Sequence, residues 1–571
     1  MAVKWYRLTV GIGWLLALAI LQGCGAGGGG GSQSSPQPEP EPQPLPDITV
    51  DPFWRNASIY FLLPDRFNNG DVTNDLAYDR QDDGAPLRGF HGGDLRGVID
   101  KLNEGYFTDL GVDAIWMSPI IENVHGYLER SGRTYAYHGY WPRDWTTVDA
   151  NFGMEADLVE LINTAHSQGI RVLLDVIANH TGPETAQDPL WPSEWVRTSP
   201  VCDWQNFAGN VTCTLTDHLP DIRTESNVPV EVPQFLQEKW QQEGRLETEQ
   251  AELDAFFART GHPRAPRYYL MKWLTDWVRE YGVDGFRVDT AKHVEPEFWG
   301  ELKLEASAAL AQWKQDNPDK KIDDKDFFML GEVYGFGVDN FSASRGRQYG
   351  FGDRLVDFYQ FGFDALINMG FVRHAEQSYA ELFQQYADDL TAGGLNGAGV
   401  LSYISSHDDM DSFDRERART YESASKLLLS PGAVQIYYGD ELARPLMDAE
   451  ALYDAELRTP MNWHNLENAD TRQLHDHWRK LLRFRQAHKA VGAGEHREIS
   501  RTPYTFVRAL DDDRVVIAMD LAPGDKTIVV SDVFADGTQL KDAYSGATAT
   551  VRNGVVSLNS AFPLVLMEVA K

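Results

Sequence analysis

Gly285-Phe286-Arg287-Val288-Asp289 is a short apolar run that ends with an arginine and an acid two residues apart. In an extended strand, residues two apart share a face, so the guanidinium can hold the carboxylate ionised. Three other segments also carry a strand-like run into an acid. They are Arg171-Val172-Leu173-Leu174-Asp175, which continues to Asn179-His180; Phe328-Met329-Leu330-Gly331-Glu332; and Ser402-Tyr403-Ile404-Ser405-Ser406-His407-Asp408. A parallel barrel gathers the C-terminal ends of its strands on one face, so acids scattered in sequence can converge there. Convergent carboxylates are the equipment for cleaving glycosidic bonds.

Outward from these segments, short β-like runs alternate with amphipathic stretches. Strands are expected at Ser58 to Leu62, Ala114 to Met117, Val172 to Asp175, Phe286 to Asp289, Phe328 to Gly331, Val356 to Phe358, Leu401 to Ile404 and Val434 to Tyr437. Met154 to Gln168 and Tyr268 to Tyr281 have helical spacing and stop at Gly169 and Gly282. The pattern predicts an α/β fold, a (β/α)8 TIM barrel over 48–180 and 267–490. Between Asp175 and the helix near Tyr268 lie about ninety residues, far more than an ordinary βα loop, so 181–266 reads as an inserted domain. From 491 to 571 the runs shorten and alternate, with turns at Asp511-Asp512-Asp513 and Pro523-Gly524, as in an antiparallel β-sandwich.

At 571 residues, 42% hydrophobic and 24% charged, the chain has a globular balance. Its net charge of −33 disfavours nucleic acid, since a polyanion repels phosphate, and suits a neutral ligand such as a sugar polymer. Lys4 and Arg7 precede an apolar run from Leu8 to Leu21 and then Gln22-Gly23-Cys24, which reads as an export signal over 1–23. The Gly, Ser and Pro-rich stretch 24–47 cannot bury apolar area and reads as a tether. Cys202 and Cys213 remain after export, in a compartment where thiols oxidise, and are expected to be bonded. Closing so short a loop stabilises by roughly 3 kcal/mol on the chain-entropy view. A monomer is expected.

Breaking an acetal needs an acid for the leaving oxygen and a carboxylate on the opposite face. Asp289, beside Arg287, suits the nucleophile; Glu332, ending an apolar strand, suits the protonated acid. Asp408 supplies a third carboxylate, with Asp409 as a neighbour that alternation sends elsewhere. Tyr137-His138-Gly139-Tyr140-Trp141 offers flat faces and polar atoms for sugar rings.

The ordered set Asp175-Val176-Ile177-Ala178-Asn179-His180, Gly285 to His293, Gly331-Glu332-Val333 and Ser406-His407-Asp408 resembles the four motif regions of the α-amylase superfamily, glycoside hydrolase family 13. Leu219-Pro220-Asp221 and the segment Gly432 to Glu441 match as well. The resemblance implies a retaining mechanism with Asp289 as nucleophile, Glu332 as acid and base, and Asp408 as transition-state stabiliser. It places Tyr140, His180, Arg287 and His407 around the sugar at the cleavage point and Lys292 with His293 on the leaving-group side; Trp141 and His138 of the aromatic loop are further expected substrate contacts. It implies Ca²⁺ held by Asn179, Asp221 and the carbonyl of His293. A second calcium site, as in cyclodextrin-acting relatives, is implied at Asn69, Asp71, Asn74, Asp75, Gly92 and Asp94.

Ser405-Ser406 departs from the Asn that many relatives carry before the His-Asp pair and resembles periplasmic α-amylases. Gln22-Gly23-Cys24 resembles a bacterial lipoprotein box, with Cys24 as the lipidated residue and a membrane as partner. The expected function is endo-hydrolysis of α-1,4-glucans by a periplasmic or cell-surface lipoprotein, with a secreted enzyme as the alternative. The alternatives are a cyclomaltodextrinase or maltogenic amylase with transfer activity, and, from another class, a non-catalytic glycan-binding lipoprotein.

Overall fold

Eight parallel strands close on one another: β1 (Ser58–Leu62), β2 (Ala114–Met117), β3 (Arg171–Val176), β4 (Gly285–Val288), β5 (Phe328–Gly331), β6 (Ala365–Asn368), β7 (Gly399–Ser402) and β8 (Ala433–Tyr437). The computed structural model describes residues 50–570 apart from 131, 340, 341, 392, 393 and 396; the signal, Cys24 and the 24–47 tether lie outside the described residues. β1 pairs with both β2 and β8, which completes the cylinder. The strands read as near-continuous apolar runs because both of their faces are buried. Helices Glu155–Ser167 and Pro266–Tyr281 pack outside; the second begins on Pro266 and is capped by left-handed Gly282.

The sixth strand is not where the sequence placed it. Val356 belongs to a small antiparallel sheet of Ser344–Arg345, Gln348–Gly350 and Leu355–Val356, and Phe358–Phe361 is a 3-10 turn. The barrel strand is Ala365–Asn368, which pairs with β5 and β7. Both stretches are short apolar runs, and only the availability of two parallel neighbours distinguishes them.

Two excursions rise on the face where the strands end. After β2, Ile121–Asn123 pairs with Pro142–Val148, with the hairpin Leu128–Glu129/Arg133–Thr134 between them. After β3 come the hairpin Val196–Arg197/Asp221–Ile222, the Cys202–Cys213 disulfide, and helices Gln234–Gln242 and Leu246–Thr260. Trp240 and Trp195 of this segment bury against Trp273 of the helix Pro266–Tyr281, joining insertion and barrel through one aromatic core.

The C-terminal part is a six-stranded antiparallel sheet, in spatial order Glu495–Arg501, Tyr504–Leu510, Asp513–Ala518, Val565–Val569, Gln539–Asp542 and Thr548–Thr550. The ribbon Gly524–Val529/Val555–Ser560 covers it over a core of Val516, Ala518, Ile528, Val556 and Met567. A buried arginine joins this part to the barrel: Arg508 donates to the carbonyls of Val491 and Leu429, while Arg485 of the helix Ala469–Ala487 binds the carbonyls of Asn56, Leu428, Ser430 and Gly432 within the barrel.

His488, just past the barrel helix Ala469–Ala487, donates one ring N–H to Asp513 at 2.7 Å and the other to Glu568 at 2.8 Å, both in the sheet. Burial opposes its charge, but the two carboxylates outweigh burial and raise its pKa. The stabilisation is therefore full below the unfolded value near ~6.5 and is lost as pH rises through the raised folded value. His488→Gln is expected to lower Tm more at about pH 6 than at about pH 9. An equal loss at both pH values in thermal melts would remove the charged clamp.

Candidate active site

Strand register makes the first contact of the site. Arg287 on β4 lies opposite Asp175 on β3, so the two side chains enter the barrel mouth together. The Nη1 atom of Arg287 sits 2.9 and 3.1 Å from the oxygens of Asp175 and 2.8 Å from Oδ1 of Asp289, while Nη2 sits 3.1 Å from Oε2 of Glu332. One guanidinium thus ties together acids from three strands. Burial disfavours its charge, but Asp175, Glu332 and Asp289 more than compensate and raise its pKa.

The acids differ in what else they touch. Asp175 is closed in: Trp116 Nε1 donates to it at 3.1 Å and the Tyr140 hydroxyl at 2.8 Å, and burial pushes it up to about 7 with Arg287 opposing. It holds its neighbours and has no free edge for a ligand. Glu332 accepts the backbone N–H of Thr290 at 2.8 Å. Thr290 is a β-branched residue at φ 49°, a strained conformation immediately after Asp289 that aims this N–H at Glu332. Burial raises the Glu332 pKa to about 8; the Asp289 and Asp408 charges add to the shift and Arg287 opposes it.

Asp408 opens into the cleft with its side chain 45% exposed. Burial of its surroundings works against the charge, but His407, the Ser406 hydroxyl at 2.6 Å and Arg287 hold it below the usual range. Asp409 is engaged elsewhere, by the Tyr403 hydroxyl at 2.6 Å.

Loops complete the walls. Gly139 takes φ +88°, and a Cβ there would lie 2.1 Å from the Pro119 carbonyl oxygen, so only glycine permits the bend that presents Tyr140. The Tyr140 N–H donates to His138 Nδ1 at 3.0 Å, and its ring stacks on His407 with centroids 5.2 Å apart. His180 donates from Nε2 to the Tyr140 carbonyl at 3.1 Å. Burial lowers the pKa of His138, His180 and His407, the last to about 4, so all three face the cleft as neutral imidazoles.

A cavity of about 430 Å³ is lined by His138, Tyr140, Trp141, His180, Asp289, His407 and Asp408. Trp141 offers it only an edge, being 8% exposed and packed against Val124 and Ala136. Glu332 faces an adjoining cavity of about 530 Å³ with Lys292, His293, Trp204, Tyr334 and Tyr349. The acids therefore stand where the two cavities meet. Lys292 lies 5.2 to 5.4 Å from the centroids of the three aromatic rings, and burial lowers it to about 8.

Residues 61–514 match the alpha-amylase catalytic domain. The chain belongs to the α-amylase family. It is 38% identical over 531 residues to the periplasmic alpha-amylase of Escherichia coli, covering 82% of this chain and 73% of that protein. A Bacillus cyclomaltodextrinase is 27% identical over 499 residues, covering 83% and 74%. An Anoxybacillus alpha-amylase structure aligns with TM-score 0.64 at 24% identity, covering 91% of this chain and 99% of that one, a likeness of fold. The protein is thus an α-amylase-family glycoside hydrolase.

The residues of both calcium sites that the amylase resemblance implies come together. In the loop before β2, Asn69 donates to Asp75 at 2.8 Å, and a Cβ on Gly92 would fall 2.5 to 2.6 Å from the side chains of both. Asp94 accepts the backbone N–H groups of Asp71 and Gly97, and Asn74 Oδ1 is buried without a hydrogen-bond partner among the described residues. Such a crowd of hard oxygens with an unpaired one fits Ca²⁺. At the insertion, Asn179, Asp221 and the His293 carbonyl come together: the Asn179 amide lies 2.8 Å from Asp221 and 3.1 Å from the His293 carbonyl, Arg197 Nε stands 2.8 Å from the other Asp221 oxygen, and that oxygen is buried without a hydrogen-bond partner among the described residues. Carboxylate, amide and carbonyl oxygens of this kind also suit Ca²⁺.

Trp204, Tyr334, Tyr349 and the Arg458–Asp454–Arg88 group were not singled out from sequence. The signals available were Tyr334 two residues past Glu332, and Trp204 inside the disulfide loop. Arg458 was out of reach, since it acts by donating to the distant His407 carbonyl at 2.9 Å. Arg287→Lys, which loses the fork that spans three acids, is expected to cut glycosidase turnover by about 100-fold or more. Turnover within a few-fold of the native enzyme, at matched folding, would remove Arg287 as the organiser.

Proposed function

We propose that the protein is an exported α-amylase that hydrolyses α-1,4-glucosidic bonds within starch, glycogen or maltodextrins by a retaining route. The observation that carries this is the tie of Asp289 and Glu332 to one buried guanidinium at the meeting of two cavities. Glu332, kept protonated by its surroundings, gives its proton to the glycosidic oxygen as that bond breaks. Asp289 attacks the anomeric carbon from the other face and forms a covalent glycosyl ester. Glu332, now ionised, takes a proton from water, and the water oxygen displaces Asp289 to release the sugar. Asp408 and the neutral His138 and His407 make hydrogen bonds to the sugar hydroxyls as the ring flattens, and the His180 ring lines the same cavity.

Asp289→Asn and Glu332→Gln are each expected to reduce turnover on amylose by several orders of magnitude in a protein that still folds, with Tm lowered by the loss of a partner for Arg287. Because Glu332 must carry a proton to act, kcat/KM should fall on the alkaline side as pH rises through about 8. Native-like turnover in either variant overturns the assignment.

The exposed rings of Trp204 and Tyr334 beside Glu332 favour a second reading, a cyclomaltodextrinase with transfer to a sugar acceptor. Early product profiles on amylose, cyclodextrin and pullulan separate the two. An early broad mixture from amylose is expected for internal cleavage. A glycan-binding protein without catalysis is disfavoured, since a binder needs no proton donor beside a nucleophile.

Calcium would be held by Asn69, Asp71, Asn74, Asp75, Gly92 and Asp94, where it would brace the entry to the helix Leu95–Asn103. Chelation is expected to lower Tm, and Asn74→Ala with Asp75→Ala to abolish that response. A chelator-insensitive native enzyme would remove this ion. Export rests on the Leu8 to Leu21 run, with Cys24 as the residue to be lipidated, which the mass of the mature N-terminus decides.

A further inference from the structure

Away from the cleft, a cavity of about 590 Å³ opens where the barrel helices Tyr379–Thr391, Thr420–Leu428 and Ala469–Ala487 meet the C-terminal sheet. That volume falls within the ~300–1,000 Å³ usual for ligand sites. The cavity shares no residue with the two that meet at the acids. A row of rings runs through its wall: Tyr421 to His477 at 5.0 Å between centroids, His477 to Tyr544 at 5.6 Å, and Tyr544 to Phe562 at 5.0 Å. His477 fixes the row. The Tyr544 hydroxyl donates to its Nδ1 at 2.7 Å, its Nε2 donates to the Tyr421 carbonyl at 3.1 Å, and burial lowers its pKa to about 4, so the imidazole stays neutral. The two ends of the row stay open to solvent, Tyr421 at 47% and Phe562 at 37% exposure. Gln473, Asp476, Lys480 and Asp520 set polar groups beside them.

The charges narrow the ligand. Lys480 already sits 5.0 and 5.2 Å from the centroids of the Tyr544 and Phe562 rings and 2.9 Å from Asp476, so the place a cationic ligand would take is filled. Glu422, Asp476 and Asp520 oppose an anion. What fits is a neutral molecule with flat C–H faces for the rings and hydroxyls for the amide and the carboxylates. On the glucan reading of the cleft, we propose that this cavity is a second glucan-binding site, which holds one stretch of the polymer while another passes the acids. Its place in the fold suits that use. Each barrel helix runs back against the strand it follows, so Tyr379, Tyr421 and Gln473, near the starts of their helices, lie toward the face where the strands end.

Binding and chemistry can be read separately. In the full-length chain carrying Glu332→Gln, which leaves starch intact, adsorption to starch granules is measured with and without the pair Tyr421→Ala and Phe562→Ala. Adsorption weaker by about 10-fold is expected from the pair, and Tyr421→Trp with Phe562→Tyr is expected to keep it. In the otherwise native chain the Ala pair is expected to leave turnover of maltotetraose unchanged, since neither residue touches the cleft. Adsorption equal to that of the parent, in a chain that turns over maltotetraose, overturns the proposal alone. A native chain without turnover on maltotetraose removes the glucan reading and this site with it. Should the pair not fold, Tyr421→Ala by itself, at a half-exposed position, is read in the same way.

Discussion

A single buried guanidinium is the constraint on which the rest of the site depends. Arg287 is 1% exposed, and its charge survives only because carboxylates from β3, from the end of β4 and from the end of β5 surround it. The dependence is mutual, for those carboxylates could not sit so close together without a shared counter-charge. Breaking a buried pair of this kind costs about 3–5 kcal/mol, so geometry needed for chemistry is also geometry needed for the fold at the barrel mouth.

Around that centre, differences in environment give similar groups different work. Asp175 is walled in by Trp116 and Tyr140 and serves as a strut; Glu332 lies deep and keeps a proton; Asp408 stands at the open edge and stays ionised. The three histidines are kept neutral by burial, which suits hydrogen bonding to an uncharged sugar better than cationic side chains would. The wall itself comes from the excursion after β2, whose bend at Gly139 lets Tyr140 lie over both Asp175 and His407.

Calcium chemistry would depend on the same local supply: Asn74 Oδ1 before β2 and Asp221 Oδ2 at the insertion are both buried oxygens without a hydrogen-bond partner among the described residues.

The sequence by itself determined the barrel, the order of its strands and the acids at their ends, because strand periodicity and strand-terminal chemistry are local properties. It also led to the Cys202–Cys213 bond and the antiparallel C-terminal sheet. Only tertiary structure decided between Val356–Phe358 and Ala365–Asn368 for the sixth strand, since two apolar runs differ only in which neighbours accept their backbone hydrogen bonds. It also decided that Trp204 and Tyr334 face Lys292 across one cavity, and that Arg197 lies against Asp221. These are contacts between distant segments, and the distance between them becomes defined only when the chain closes on itself.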